Sequence, residues 1–207
     1  LLGGLPVGLM GPMELEAEIN GSVESLALEG TITALESELK INGILTNLLE
    51  SFQFDIATHF DSPSLASFVE DITVGDAKSD VSGLELDGPI SVALDIDGDL
   101  SALNLESITK FSNGEVQVTG SVLNPLDEVE VQIQGNLKHP SLNSLVRIMG
   151  YEFDHAATLL ENPVSLELEL DGLVTGLELQ GQLVAADLEM DFAGRVGGWP
   201  ASLFYES

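Results

Sequence analysis

The chain has 207 residues, 35 of them acidic and six basic, for a formal net charge of −29, and it contains no cysteine. That charge argues against nucleic acid or an anionic membrane surface as a direct partner, because phosphates repel it. The lack of cysteine excludes a disulfide scaffold and a thiolate zinc site. Yet 44% of the residues are apolar, whereas disorder combines high charge with low hydrophobicity, so the chain reads as folded.

The opening, Leu1 to Met13, is uncharged and glycine-rich, too short to span a bilayer and without the basic start of a signal peptide. No run of about 18 apolar residues occurs anywhere. The chain begins with Leu, which suggests a piece of a longer protein whose targeting signal or anchor lies outside it.

An internal repeat organises the rest of the chain. Shifted by 77, residues 11–75 fall on 88–152 without a gap, with 17 identities in 65 positions. Gly11-Pro12 meets Gly88-Pro89, Leu26, Leu28 and Glu29 meet Leu103, Leu105 and Glu106, and Pro63-Ser64-Leu65 meets Pro140-Ser141-Leu142. A further shift of 74 aligns Pro163, Asp171-Gly172, Leu177, Leu179 and Gly194. The units are 11–87, 88–161 and a truncated 162–196, with 197–207 a non-repeat tail. Units of roughly 75 residues in tandem stack on their neighbours and share one core.

Each unit opens with strict alternation, as in Met13-Glu-Leu-Glu-Ala-Glu-Ile19, at Val92, Leu94 and Ile96, and at Leu166, Leu168 and Leu170. Period two is a strand with one apolar and one wet face. Asn20-Gly21, Asp97-Gly98 and Asp171-Gly172 come next, a signature of tight hairpin turns. A second strand carries Leu26 and Leu28 and their equivalents. A third covers Glu38 to Ile41, Glu115 to Val118 and Glu189 to Phe192, and is expected to end near Gly43, Gly120 and Gly194. A fourth covers Phe52, Phe54 and Ile56, then Val129, Val131 and Ile133. The period then changes. Leu65, Phe68, Val69 and Ile72, and again Leu142, Leu145, Val146 and Met149, sit at i, i+3, i+4 and i+7 after a proline that suits a first helical turn. The predicted class is mainly β: an antiparallel, curved, elongated sheet of ~75-residue repeats, each with one short amphipathic helix that plugs the sheet or touches a membrane or partner.

Nothing points to catalysis. Asp95, Asp97, Asp99 and Glu106 have the spacing of calcium-loop positions, but Leu100 stands where that loop needs glycine. His59, His139 and His155 are not repeated with one another and suit surface or capping roles. Ser64 and Ser141 follow prolines, and no serine stands in Gly-x-Ser-x-Gly. Glu14, Glu16 and Glu18 share one strand face and read as solvated, without the enclosing pocket that paired catalytic carboxylates need. No enzyme, metal or cofactor is expected.

The apolar face must be buried against something. One possibility is a second layer or closure on itself, as in a sandwich or solenoid. The other is an open curved sheet whose inside holds a lipid chain, each buried methylene contributing about 0.8 kcal/mol.

The block from Pro89 to Glu106, then Gly114 to Gly120, then Lys138-His-Pro-Ser-Leu-Asn-Ser-Leu-Val146 resembles the periplasmic repeats of the AsmA family, allied to TamB and the bridge-like lipid-transfer proteins. The resemblance recurs over Pro12 to Val69 and Pro163 to Gly194. It implies a taco-like β-groove in the periplasm of a Gram-negative bacterium, in a full-length protein anchored in the inner membrane. It also implies phospholipid as partner, with a role in inner-to-outer membrane lipid transport or outer-membrane biogenesis. Membrane contact would fall to parts of the protein outside this chain. The implied lining is the apolar register: Leu15, Ile19, Leu39, Ile41, Phe54, Ile56, Val92, Leu94, Ile96, Val116, Val118, Val131, Ile133, Leu166, Leu168 and Leu170. Two alternatives stand beside it: a structural or adhesive β-repeat with a closed core and no ligand, and a carrier that binds unfolded outer-membrane strands by edge pairing.

Overall fold

The structure, a computed structural model, describes residues 13–34, 36–64, 88–148 and 162–197. Their alternating apolar and polar residues form eleven strands: β1 (Met13–Gly21), β2 (Ser25–Ala34), β3 (Ser37–Thr46), β4 (Gln53–Ser62), β5 (Ile90–Asp99), β6 (Ala102–Phe111), β7 (Gly114–Leu123), β8 (Glu130–His139), β9 (Val164–Leu173), β10 (Gly176–Ala185) and β11 (Leu188–Gly197). They make one sheet in which spatial order follows chain order, and every pairing is antiparallel. The first four strands start at 13, 25, 37 and 53, the next four at 90, 102, 114 and 130, and the last three at 164, 176 and 188.

Two expectations about strand ends need correction. Asn20-Gly21, Asp97-Gly98 and Asp171-Gly172 are not the turns; they lie inside the last residues of β1, β5 and β9. The glycines do have positive φ, 142° at Gly98. At Gly21 and Gly98 close approach also requires glycine, since a Cβ would stand 2.1 Å from the Ser25 and 2.2 Å from the Ala102 carbonyl oxygen. The β5–β6 turn itself is Leu100-Ser101. It is held by Asp99, whose carboxylate accepts from the Ser101 N–H (2.7 Å), the Ser101 hydroxyl (2.6 Å) and the Ala102 N–H (3.0 Å). The third strand of each unit also continues past its glycine, to Thr46, Leu123 and Gly197. A missing side chain does not interrupt a backbone ladder. It lets the neighbouring strand come close, and a Cβ at Gly120 would lie 2.4 Å from the Gln132 carbonyl oxygen.

Among the described residues one short helix, α1 (Leu142–Ile148), follows β8. Ser141 caps it, its Oγ accepting the Ser144 N–H at 3.2 Å. The expected helix over Leu65, Phe68, Val69 and Ile72 lies outside the described residues, as do the side chains of Val146 and Met149, His155 and the tail after Gly197.

Between the described elements, extensive contact is confined to consecutive strands. Among the described residues, neither a second sheet nor α1 packs broadly on either face. Buried side chains are correspondingly few. Ala34, Ser37, Ser62, His139, Val164 and Ala185 lie in one transverse row, at the end where the β4–β5 and β8–β9 connections leave the sheet. Val131 and Leu177 are buried toward the other end.

Candidate functional site: an apolar sheet face

Direct partners in an antiparallel ladder point to the same side, so the register sorts every residue onto one of two faces. One transverse row reads Leu15, Ile32, Leu39, Phe60, Val92, Thr109, Val116, Leu137, Leu166, Leu183 and Met190 from β1 to β11. The next on the same face reads Ala17, Gly30, Ile41, Thr58, Leu94, Ser107, Val118, Gly135, Leu168, Gly181 and Phe192. A third reads Ile19, Leu28, Gly43, Ile56, Ile96, Leu105, Gly120, Ile133, Leu170, Leu179 and Gly194. Phe54 and Val131 belong to a fourth row, with Leu26, Leu45, Leu103 and Val122. All sixteen residues singled out in the sequence therefore share one face, and no Asp, Glu, Lys or Arg occurs in these rows.

Among the described residues no second layer lies on this face. Leu15 and Ile19 on the edge strand are each 64% exposed, and Val131 is buried at 8%. The other thirteen are half-buried, shielded by in-plane neighbours. Thr58, a polar group in this face, is satisfied by donating to the Leu94 carbonyl at 3.3 Å. The same face also holds residues of β2, β6, β10 and β11 that the sequence reading missed, such as Leu28, Leu105, Leu179 and Phe192. Alternation carried through the hairpin registers would have found them.

The opposite face carries the charge. Its matching row reads Glu16, Thr31, Lys40, His59, Ala93, Ile108, Gln117, Asn136, Glu167, Gln182 and Asp191. Lys40 pairs with Glu38 at 2.5 Å, His59 with Asp61 at 2.8 Å and Arg195 with Glu178 at 2.8 Å. The Glu38 carboxylate beside Lys40 and the Glu178 carboxylate beside Arg195 raise those two bases above their ordinary range. His139 does not stand on the surface: it is buried, its Nδ1 within 3.1 Å of the Ser141 N–H.

A concavity of about 840 Å³ spans β7 to β11 and is walled mainly by the polar register, with Gln117, Thr119, Gln134, Glu167, Gln180 and Gln182. A smaller one adjoins it, lined by Thr119, Ser121, Gln132 and Glu169. Of the sixteen expected lining residues, Leu168, Ile133 and Leu170 border these two hollows. Alternation decides which residues share a face; the direction in which a twisted sheet coils decides which face is hollow, and the sequence pattern does not encode that direction.

Among the described residues no three His, Asp or Glu side chains gather in a way that could hold a metal ion. Asp97, one of the calcium-spaced acids, accepts from Asn104 at 2.9 Å on the polar face. No described helix is long and apolar enough to cross a membrane. Comparison with protein-family models, curated proteins and solved structures gave no match.

Proposed function

We propose that this chain is an AsmA-like periplasmic segment that presents an apolar sheet face to phospholipid acyl chains, in lipid movement from inner to outer membrane or in outer-membrane biogenesis. The observation that carries the reading is the continuous, charge-free face formed by rows from Leu15 to Met190 and from Ile19 to Gly194, on which no second layer lies among the described residues. A soluble monomer rarely leaves a patch of more than a few hundred Å² of this kind without a use for it. The recurrence of strand starts at offsets of 77 and then 74 supports stacked units that extend such a face. Its work is non-covalent: Leu, Ile and Val replace water around hydrocarbon, while the acidic register keeps the sheet in solution.

The test is lipid extraction and mass spectrometry on protein purified from a bacterial periplasm without detergent, beside Leu94→Asp on the apolar face and Ala93→Asp on the polar face. Phospholipid retained by the parent and by Ala93→Asp but lost from a folded Leu94→Asp is the expected result. A folded parent without lipid overturns the reading.

A second reading, a structural β-repeat whose apolar face is closed by another protein layer, is favoured by one observation. The hollows between β7 and β11 are walled mainly by the polar register and only marginally by the apolar rows.

A further inference from the structure

We infer that the two adjoining hollows on the polar face bind a neutral oligosaccharide, held by an uncharged block of side chains on β7 and β8. The site lies on the face opposite the apolar rows and is independent of the lipid reading.

The block is Gln117, Thr119 and Ser121 of β7, opposite Asn136, Gln134 and Gln132 of β8. Partners in an antiparallel ladder share a side, so the six form an array two strands wide. All six border the hollow of about 840 Å³ or the smaller one beside it. That volume falls in the usual range of ligand sites, about 300–1,000 Å³. Gln117, Thr119, Gln132 and Gln134 are exposed, and Ser121 and Asn136 are half-buried, so the block is open to solvent.

Strand pairing does not require this chemistry. Seventy-seven residues earlier, the same six places hold Lys40, Asn42 and Ile44 opposite His59, Ala57 and Asp55. The first unit thus pairs its third and fourth strands with a base, an acid and apolar residues at these places. In a chain with 35 acidic residues, six adjoining positions without a charge on the polar face belong to the second unit alone.

The side chains match sugar hydroxyls. An amide offers two donors and an acceptor, and a hydroxyl both donates and accepts. Among the described residues, Thr119, Ser121, Gln132 and Gln134 have no side-chain hydrogen-bond partner, so a ligand there displaces only water. Gln117 donates to Glu115 at 2.9 Å and Asn136 to Glu167 at 3.4 Å, which leaves both amide oxygens free to accept. The two rows continue through β9 to Gln182 and Gln180 of β10. From β7 to β10 is roughly 14 Å across the strands, room for several sugar rings in succession.

Charge narrows the class of ligand. Glu167, Glu169 and Asp171 border the hollows, and no base lines either one. Phosphate, sulfate and uronate groups are therefore repelled. A bound metal ion is not favoured, because no three acids gather to hold one among the described residues.

The experiment titrates the isotope-labelled chain with cellotetraose, maltotetraose and mannotetraose. It follows the side-chain amide resonances of Gln117, Gln132, Gln134 and Asn136 by NMR. At least one tetrasaccharide is expected to shift them, with a Kd on the order of 1 mM for binding by hydrogen bonds alone. Gln134→Ala is expected to weaken that binding about tenfold, and backbone resonances outside β7 to β10 report that the variant is folded. Asn42→Ala, in the first unit at the place equivalent to Thr119, is expected to leave it unchanged. Tetragalacturonate, with a carboxylate on every ring, is expected to bind at least about tenfold more weakly. No shift with any neutral tetrasaccharide at about 10 mM, tenfold above the expected Kd, overturns the site, as do shifts confined to other strands. Equal binding of tetragalacturonate overturns the neutral ligand, and glucose binding as tightly as a tetrasaccharide overturns the extended one.

Discussion

The His139 ring occupies the space that a side chain on Gly114 would fill: a Cβ there would stand 2.6 Å from His139 Cδ2. The ring also stacks on Phe111, centroids 6.1 Å apart and planes 21° from parallel. Seventy-seven residues earlier the corresponding positions are Ser37 and Ser62, whose hydroxyls hydrogen-bond at 2.9 Å. One place in the fold is thus filled by two small polar side chains, and the other by a glycine and a large ring. Gly114→Ser is expected to destabilise the protein by about 1–3 kcal/mol through overpacking. Adding His139→Ser should recover a good part of that loss, because the residues share one space and their effects do not add. Urea midpoints of the two single variants and the double variant check this; additive losses would count against the shared space.

The serine pair makes its own prediction. The Ser37 hydroxyl donates to Ser62, and the Ser62 hydroxyl donates onward to the Ser64 carbonyl at 3.1 Å. Both serines are buried. Ser62→Ala strands one partner and is expected to cost about 1–3 kcal/mol, and the double Ser37→Ala/Ser62→Ala less than the sum of the single changes. A double-mutant cycle in urea measures the coupling, and a coupling of zero would refute it.

Gly181 and Phe192 lie opposite each other in β10 and β11, and the ring covers the glycine. A Cβ at Gly181 would stand 2.4 Å from the ring and 2.8 Å from the Glu167 carbonyl oxygen. The ring can turn away, but the backbone oxygen cannot. Gly181→Ala is therefore expected to lower stability by about 1–3 kcal/mol, and Phe192→Ala should relieve it in part. Gly194→Ala, on the same face with nothing within 4 Å, should lie within about 0.5 kcal/mol of the parent. Thermal unfolding of the three variants decides, and equal losses at 181 and 194 would rule out the close contact.

The Asp99 turn gives a pH dependence of definite sign. The Ser101 hydroxyl, then the backbone N–H groups of Ser101 and Ala102, hold the Asp99 carboxyl below its usual value of 3.8. A depressed folded-state pKa stabilises above the unfolded value, and the stabilisation is lost as pH falls through the folded one. Asp99→Ala should therefore melt below the parent at pH 6, and the gap should narrow once pH drops below about 4. A gap that widens with acid would contradict the hydrogen-bonded turn.

Much of the fold is legible in the residues because a strand repeats every two positions. Alternation places Leu15 with Ile19, Val92 with Leu94 and Ile96, and Leu166 with Leu168 and Leu170 on one face of their own strands; the cross-strand register then brings all sixteen candidates to the same side. Turn positions are less legible. The glycine of Asp97-Gly98 is required by close approach to Ala102, whereas the turn is built by the Asp99 carboxylate one residue further on. His139 reads in the sequence as a surface or capping residue, because no local pattern shows that Gly114, far along the chain, leaves room for its ring.

The strand cadence and the division of each strand into an apolar and an acidic face are written in the residues themselves, because side-chain alternation is a local property of extended backbone. Three outcomes arise only once the chain has folded. The strands pair in chain order into one open sheet, the apolar face is left uncovered among the described residues, and the hollows form over the polar register. Those outcomes depend on strand register, on twist accumulated across eleven strands, and on contacts between residues far apart in the chain, none of which is encoded in a period of two.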